Sequence, residues 1–209
     1  MRAALTLMQW LSPAFPVGAF AYSHGLEQVL ADGVITNAQD LHDWLAMLLE
    51  NGSARADAVL LAAAYAADDP TQINATARAF ASSAERLKET DLQGAAFCDT
   101  ARNVWGCDLH GLTYPVAVGA AARAMDIPLA DTVPLYLHAF TSNLVSVAQR
   151  AMPLGQTDGQ RILSDLAPLI EATANAAETA TLANLGSASF AADIASMRHE
   201  TLQPRIFRT

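Results

Sequence analysis

No stretch of this chain alternates apolar and polar residues with a period of two. Nearly every segment between its glycines and prolines instead repeats apolar residues at intervals of three and four. That periodicity leaves helices as the only regular structure the chain can build. Thr36-Asn37-Ala38-Gln39 fits a capping box, with Leu41, Trp44, Leu45, Leu48 and Leu49 as the stripe behind it and Asn51-Gly52 as the stop. An alanine-rich helix is predicted from Ser53 to Asp68, ending before Pro70, and a short one from Thr71 to Phe80. Ser82-Ser83-Ala84-Glu85 is a second capping pattern, opening a long helix that reaches Trp105-Gly106. Tyr114-Pro115 starts the next helix and Asp126-Ile127-Pro128 stops it. Leu129 to Gln149 follows with Pro134 in its first turns, then Thr157 to Thr179 with Pro168 as a kink position. Residues 184–189 read as a loop and Phe190 to His199 as the last helix. Gln203-Pro204 leaves Arg205-Ile206-Phe207-Arg208-Thr209 as a non-helical tail. The expected fold is all-α: one domain over residues 1–200, a bundle of roughly eight to ten helices, and a flexible C-terminal tail over 201–209.

The segment before the first strong helix is built differently. In Leu11-Ser12-Pro13-Ala14-Phe15-Pro16-Val17 the two prolines fix φ and push Ser12 and Phe15 toward extended backbone, which predicts a rigid elbow. Beyond it, Phe20, Ser23, His24, Glu27 and Gln28 fall at helical offsets, with Leu26, Val29 and Leu30 on an adjacent stripe and Asp32-Gly33 as the stop.

Charge and composition exclude several classes. A net charge of −9 with one lysine, Lys88, argues against a nucleic-acid partner, which needs a basic face. No Gly-Lys dipeptide exists to form a P-loop. Cys98 and Cys107 form neither a disulfide framework nor a paired zinc motif and read as buried thiols. The longest apolar run, Ala58 to Ala67, is too short to cross a bilayer, and no basic segment precedes an apolar one at the start, so a cytoplasmic protein is expected. At 52% hydrophobic and only 16% charged residues, part of the surface is expected to meet partners.

Three constellations bear on chemistry. Ala21-Tyr22-Ser23-His24-Gly25 resembles a nucleophile elbow with alanine for its first glycine, which makes a serine hydrolase using Ser23 a remote alternative; the strand that such an elbow needs is missing. His24, His42, His110, His138 and His199 form no paired metal motif, although a symmetric interface could bring one histidine per chain together around nickel. Leu154-Gly155-Gln156-Thr157-Asp158-Gly159-Gln160-Arg161 lacks the strand-to-helix setting of a phosphate loop and reads as a capped helix start. No motif calls for a resident cofactor or a catalytic set.

The block from Ser12 to Glu27, with its serine, two spaced prolines, glycine, aromatic, Tyr22-Ser23 and Gly25-Leu26-Glu27, resembles the N-terminal signature of UreF urease accessory proteins. Pro153 to Gln160 is similar to a second segment of that family. Further similarity lies in Glu85-Arg86-Leu87 to Gln93-Gly94, in Asp126-Ile127-Pro128 and in Arg198-His199-Glu200-Thr201 with the tail. Departures are mild: Ile206 and Thr209 stand where leucine and serine are usual, Gln203-Pro204 replaces a common Tyr-Ser, and Ala21 replaces a frequent serine.

The resemblance implies a non-catalytic, all-helical homodimer that binds UreD (also called UreH) and recruits the GTPase UreG, the assembly loading nickel into apo-urease. It implies a tail mobile alone and ordered by UreD, with Arg205, Phe207 and Arg208 in that contact. Pro16, Gly18, Tyr22, Ser23 and Glu27, together with Gln156 and Gln160, are expected at partner or dimer surfaces, and Gly18 and Gly25 equally as packing positions. Direct activation of UreG, with Arg205 or Arg208 reaching the partner, is the alternative function.

Overall fold

The computed structural model describes residues 1–209 and contains ten α-helices, two 3-10 turns and no strand. The helices are α1 (Arg2–Trp10), α2 (Leu26–Ala31), α3 (Ala38–Asn51), α4 (Ser53–Ala66), α5 (Thr71–Ala79), α6 (Ala84–Trp105), α7 (Tyr114–Ala124), α8 (Leu129–Ala151), α9 (Gln156–Glu178) and α10 (Phe190–His199). The 3-10 turns cover Ala19–Ala21 and Leu182–Asn184.

Caps fix the boundaries that local sequence marks. Asn37 accepts from the amides of Gln39 and Asp40, so the cap of α3 is Asn37 and not Thr36. Ser83 accepts from the amide of Arg86 at the start of α6, and Gly106 ends that helix in the left-handed region. Pro115 sits in the first turn of α7, where its missing N–H costs nothing.

Alanine-rich α4 runs through the centre, packing against α3, α7, α8 and α9. Its small side chains let α7 come close: a Cβ added at Gly119 would lie 2.2 Å from the carbonyl oxygen of Leu61. An aromatic cluster closes one end of the core, with Trp10 edge-on to Phe97 at 5.3 Å and to Trp105 at 5.7 Å. Phe15 joins it, 5.5 Å from Phe97, and with Val17 it is buried, while Pro13 and Pro16 face solvent. The elbow is therefore pinned by its apolar residues. It is a succession of turns, not extended backbone: Phe15 N–H donates to Ser12 at 2.9 Å, and Val17 N–H donates to Phe15 across Pro16 at 2.8 Å.

No continuous helix spans Phe20 to Leu30, because the chain leaves the first 3-10 turn, passes through Tyr22–Gly25 in irregular backbone and becomes helical only at Leu26. Helix α1 has no counterpart in the sequence reading; its amphipathic pattern buries Thr6, Leu7 and Trp10. The tail, read as flexible, is folded onto the helical body with Phe207 and Thr209 buried.

Candidate protein-docking site

The break at Tyr22–Gly25 is what builds the site. His24 and Gly25 have positive φ of 53° and 78°. A Cβ at Gly25 would lie 2.7 Å from the Ser196 amide nitrogen, so glycine is required both for its φ and for the approach of α10. Gly18 also has positive φ, 70°, but stands in open space, so only its backbone conformation calls for glycine.

The turn aims Ser23 and Glu27 at the tail. Glu27, in the first turn of α2, accepts from the amides of Ile206 at 2.6 Å and Phe207 at 3.0 Å. Its second oxygen also meets His199 Nε2 at 2.9 Å, and His199 Nδ1 lies 2.7 Å from Glu85. Arg205 pairs with the same Glu85. Ser23 N–H donates to the carbonyl oxygen of Thr209 at 2.9 Å, its hydroxyl bonds the same oxygen, and Arg208 N–H donates to Ala21 at 2.8 Å. Arg150 lies over the Phe207 ring at 4.5 Å and donates to the carbonyl of Phe20 at 2.9 Å.

Behind this clasp lies a buried set of charges. Thr209 Oγ1 donates to Glu89 at 3.1 Å, and His24 Nε2 sits 3.0 Å from the other Glu89 oxygen. Arg86 reaches Glu89 at 3.4 Å and Asp57 at 2.7 Å, and Asp57 also accepts from the Tyr136 hydroxyl at 2.9 Å. Burial would push the Glu89 carboxyl up, but His24 and Arg86 outweigh it and hold the group below the usual carboxylate range. Burial and Asp57 push the Tyr136 phenol well up, so it stays a donor. Tyr22, buried between the block and the tail, is likewise raised by burial and by Glu89 against an opposing hydrogen bond from Arg208.

The expected site residues therefore separate into groups. Tyr22, Ser23, Glu27 and Phe207 are buried and joined to one another inside this chain. Arg205, Ile206 and Arg208 are exposed along the outer side of the docked tail, and Pro16 is exposed on the elbow. Gln156 and Gln160 are exposed at the start of α9, an element that packs on α3, α4 and α8 and takes no part in the hydrogen bonds that hold the tail. Ser23 Oγ is committed to Thr209 and to the Glu27 amide, which donates to it at 3.3 Å. No group of three or more His, Cys, Asp or Glu side chains is arranged to hold a metal ion.

Glu89, Asp57 and Arg86 received no site role from the sequence, Glu85 stood there only in a capping pattern, and His24 and His199 only as single histidines. The signal that could have marked them is the scarcity of charge in this chain, which makes a carboxylate on an otherwise apolar helix face a candidate for buried pairing. Two apolar faces complete the surface. Leu5, Met8, Phe20 and Leu135 are exposed around α1 and α8, and Phe190, Ile194 and Met197 along α10.

The surface is built by folding one end of the chain onto the other, is flanked by apolar faces, and offers no free nucleophile at Ser23. The family model described as UreF matches residues 35–167. The chain is 54% identical over 209 residues to the urease accessory protein UreF of Roseobacter denitrificans, covering 99% of this chain and 94% of that protein. It is 57% identical over 211 residues to the protein of the same name from a Ruegeria species, covering 100% and 99%, and 48% identical to that of Dinoroseobacter shibae over the full length of both. The chain belongs to the UreF family of urease accessory proteins.

Proposed function

We propose that this chain is a non-catalytic scaffold of urease maturation in the cytoplasm. It binds UreD (UreH), works as a homodimer, and recruits UreG so that the assembly inserts nickel into apo-urease, nickel being cargo. The observation that carries this reading is the joining of the tail to the N-terminal block: Glu27, Ala21 and Ser23 hold the backbone of residues 206–209, so that Arg205, Ile206 and Arg208 stand outward in a defined row. A preordered row of Ile206 and two guanidinium groups, which keep N–H donors beyond the bonds of Arg205 to Glu85 and of Arg208 to Tyr22, offers a partner charge-assisted contacts without the full entropy of ordering a loose tail. Phe207 serves by seating the tail, and Arg205 and Arg208 make the contact with UreD. Pro16 and Gly18 on the elbow, and Gln156 with Gln160 at the start of α9, supply secondary partner or dimer surface.

The test is co-purification of tagged UreD with this chain. The Arg205→Ala/Arg208→Ala double variant is expected to keep its helical content and lose at least tenfold in UreD retention, and undiminished retention would overturn the assignment.

A second reading, direct activation of UreG, is favoured by the exposure of Arg208 beside the buried Tyr22. It requires that adding this chain raise the rate of GTP hydrolysis and that Arg208→Ala abolish the increase. An unchanged rate rejects it.

A further inference from the structure

Glu89 stands where two separate regions of the molecule meet. On one side its Oε2 accepts the Thr209 hydroxyl at 3.1 Å. On the other, its Oε1 holds His24 at 3.0 Å and Arg86 at 3.4 Å, and Arg86 carries the connection to Asp57 and through it to Tyr136 on α8. Asp57, Arg86, Glu89, His24 and Tyr136 all line a cavity of about 440 Å³ between α1, α6 and α8, whose rim carries the exposed Met8, Phe20 and Leu135. The charged side chains of this floor are 0 to 11% exposed. The tail and the cavity therefore share one buried set of charges.

Ion pairs in such a set strengthen as water is excluded and weaken as it enters. The docked tail keeps water out on one side. Release of Thr209 takes a donor from Glu89 and wets the carboxylate, which loosens its hold on His24 and Arg86. Arg86 then holds Asp57 less firmly, and with it Tyr136 across the cavity floor.

We propose that Glu89 couples docking of the C-terminal tail to the order of the cavity floor at Tyr136, so that each favours the other. The coupling acts through the chain's own residues. Reciprocity follows from linkage, and its size falls in the range of about fivefold to about a hundredfold common for coupled sites.

Amide hydrogen exchange on the full chain tests this with two variants chosen at opposite ends. Tyr136→Phe removes one hydroxyl on the cavity side and touches no tail residue. It is expected to speed exchange at Ser23, Ile206 and Phe207 by at least about fivefold, with exchange in α3 and α9 unchanged. Thr209→Val removes one hydroxyl on the tail side, and is expected to speed exchange at residues 136–140 in α8 by a similar factor. Acceleration confined to the neighbourhood of each substitution overturns the proposal. So does a uniform acceleration that includes α3 and α9, which would report general destabilisation.

Discussion

Glu27 holds three donors with two oxygens, and two of the three are backbone amides of the tail. Hydrogen bonds to an ionised group are the stronger kind, and donors left without it in a buried site incur a desolvation cost. Glu27→Ala is therefore expected to lower stability by about 3 kcal/mol. It should also strip the Ile206 and Phe207 amides of exchange protection, and retained protection would show that the tail is held by something else. Glu89 makes a different prediction, in pH. Its folded pKa lies below the ordinary value of 4.5, so its contribution is fully present above that value and is lost as pH falls through the folded one. The denaturation midpoint of the native chain should fall more steeply as the pH drops below the ordinary carboxylate value of 4.5 than that of Glu89→Gln, which has no such carboxyl to protonate. Parallel pH profiles would exclude Glu89 as a source of acid sensitivity. Neither residue's role is written in its local sequence: Glu27 and Glu89 each sit on a helix like many surface glutamates, and only the fold brings them beneath the tail.

At the scale of elements, close helix approach rests on glycine. A Cβ at Gly94 would lie 2.0 Å from the carbonyl oxygen of Leu112, and one at Gly119 would lie 2.2 Å from that of Leu61, both rigid backbone atoms. Gly119→Ala should force α7 away from α4 and cost about 1–3 kcal/mol, read as a shift in the urea midpoint with little change in slope. An unshifted midpoint would mean that the α4/α7 contact has slack. Helices bounded by their own caps, such as α3 behind Asn37 and α6 between Ser83 and Gly106, were legible because those signals are local. Helix α2 was not. The periodicity of Phe20, Ser23, His24 and Glu27 mimics a helix, but tertiary bonds from Ser23 to Thr209 and the left-handed turn at His24-Gly25 interrupt it. The tail was misread for the same reason. It lacks periodicity of its own, and its order comes from contacts with residues far away in the chain.

At the scale of the whole molecule, the architecture is a helical body with its last residues folded across its first irregular segment, leaving the apolar faces of α1/α8 and of α10 exposed. The family signature is thereby given a physical content. Its Tyr22-Ser23 and Gly25-Leu26-Glu27 form the receptor for the chain's own tail, and the residues the resemblance assigned to partners divide into those that seat the tail, those on the outer side of the seated tail, and Pro16, Gly18, Gln156 and Gln160, which lie apart from it. The most direct test of the scaffold account is urease activity in nickel-supplemented cells carrying the cognate urease operon, with this gene intact, deleted, or carrying Glu27→Ala. The account predicts that deletion abolishes activity while urease protein remains present and nickel-poor, and that Glu27→Ala loses most of the activity although the chain is still made. Full activity in the deletion strain would contradict it.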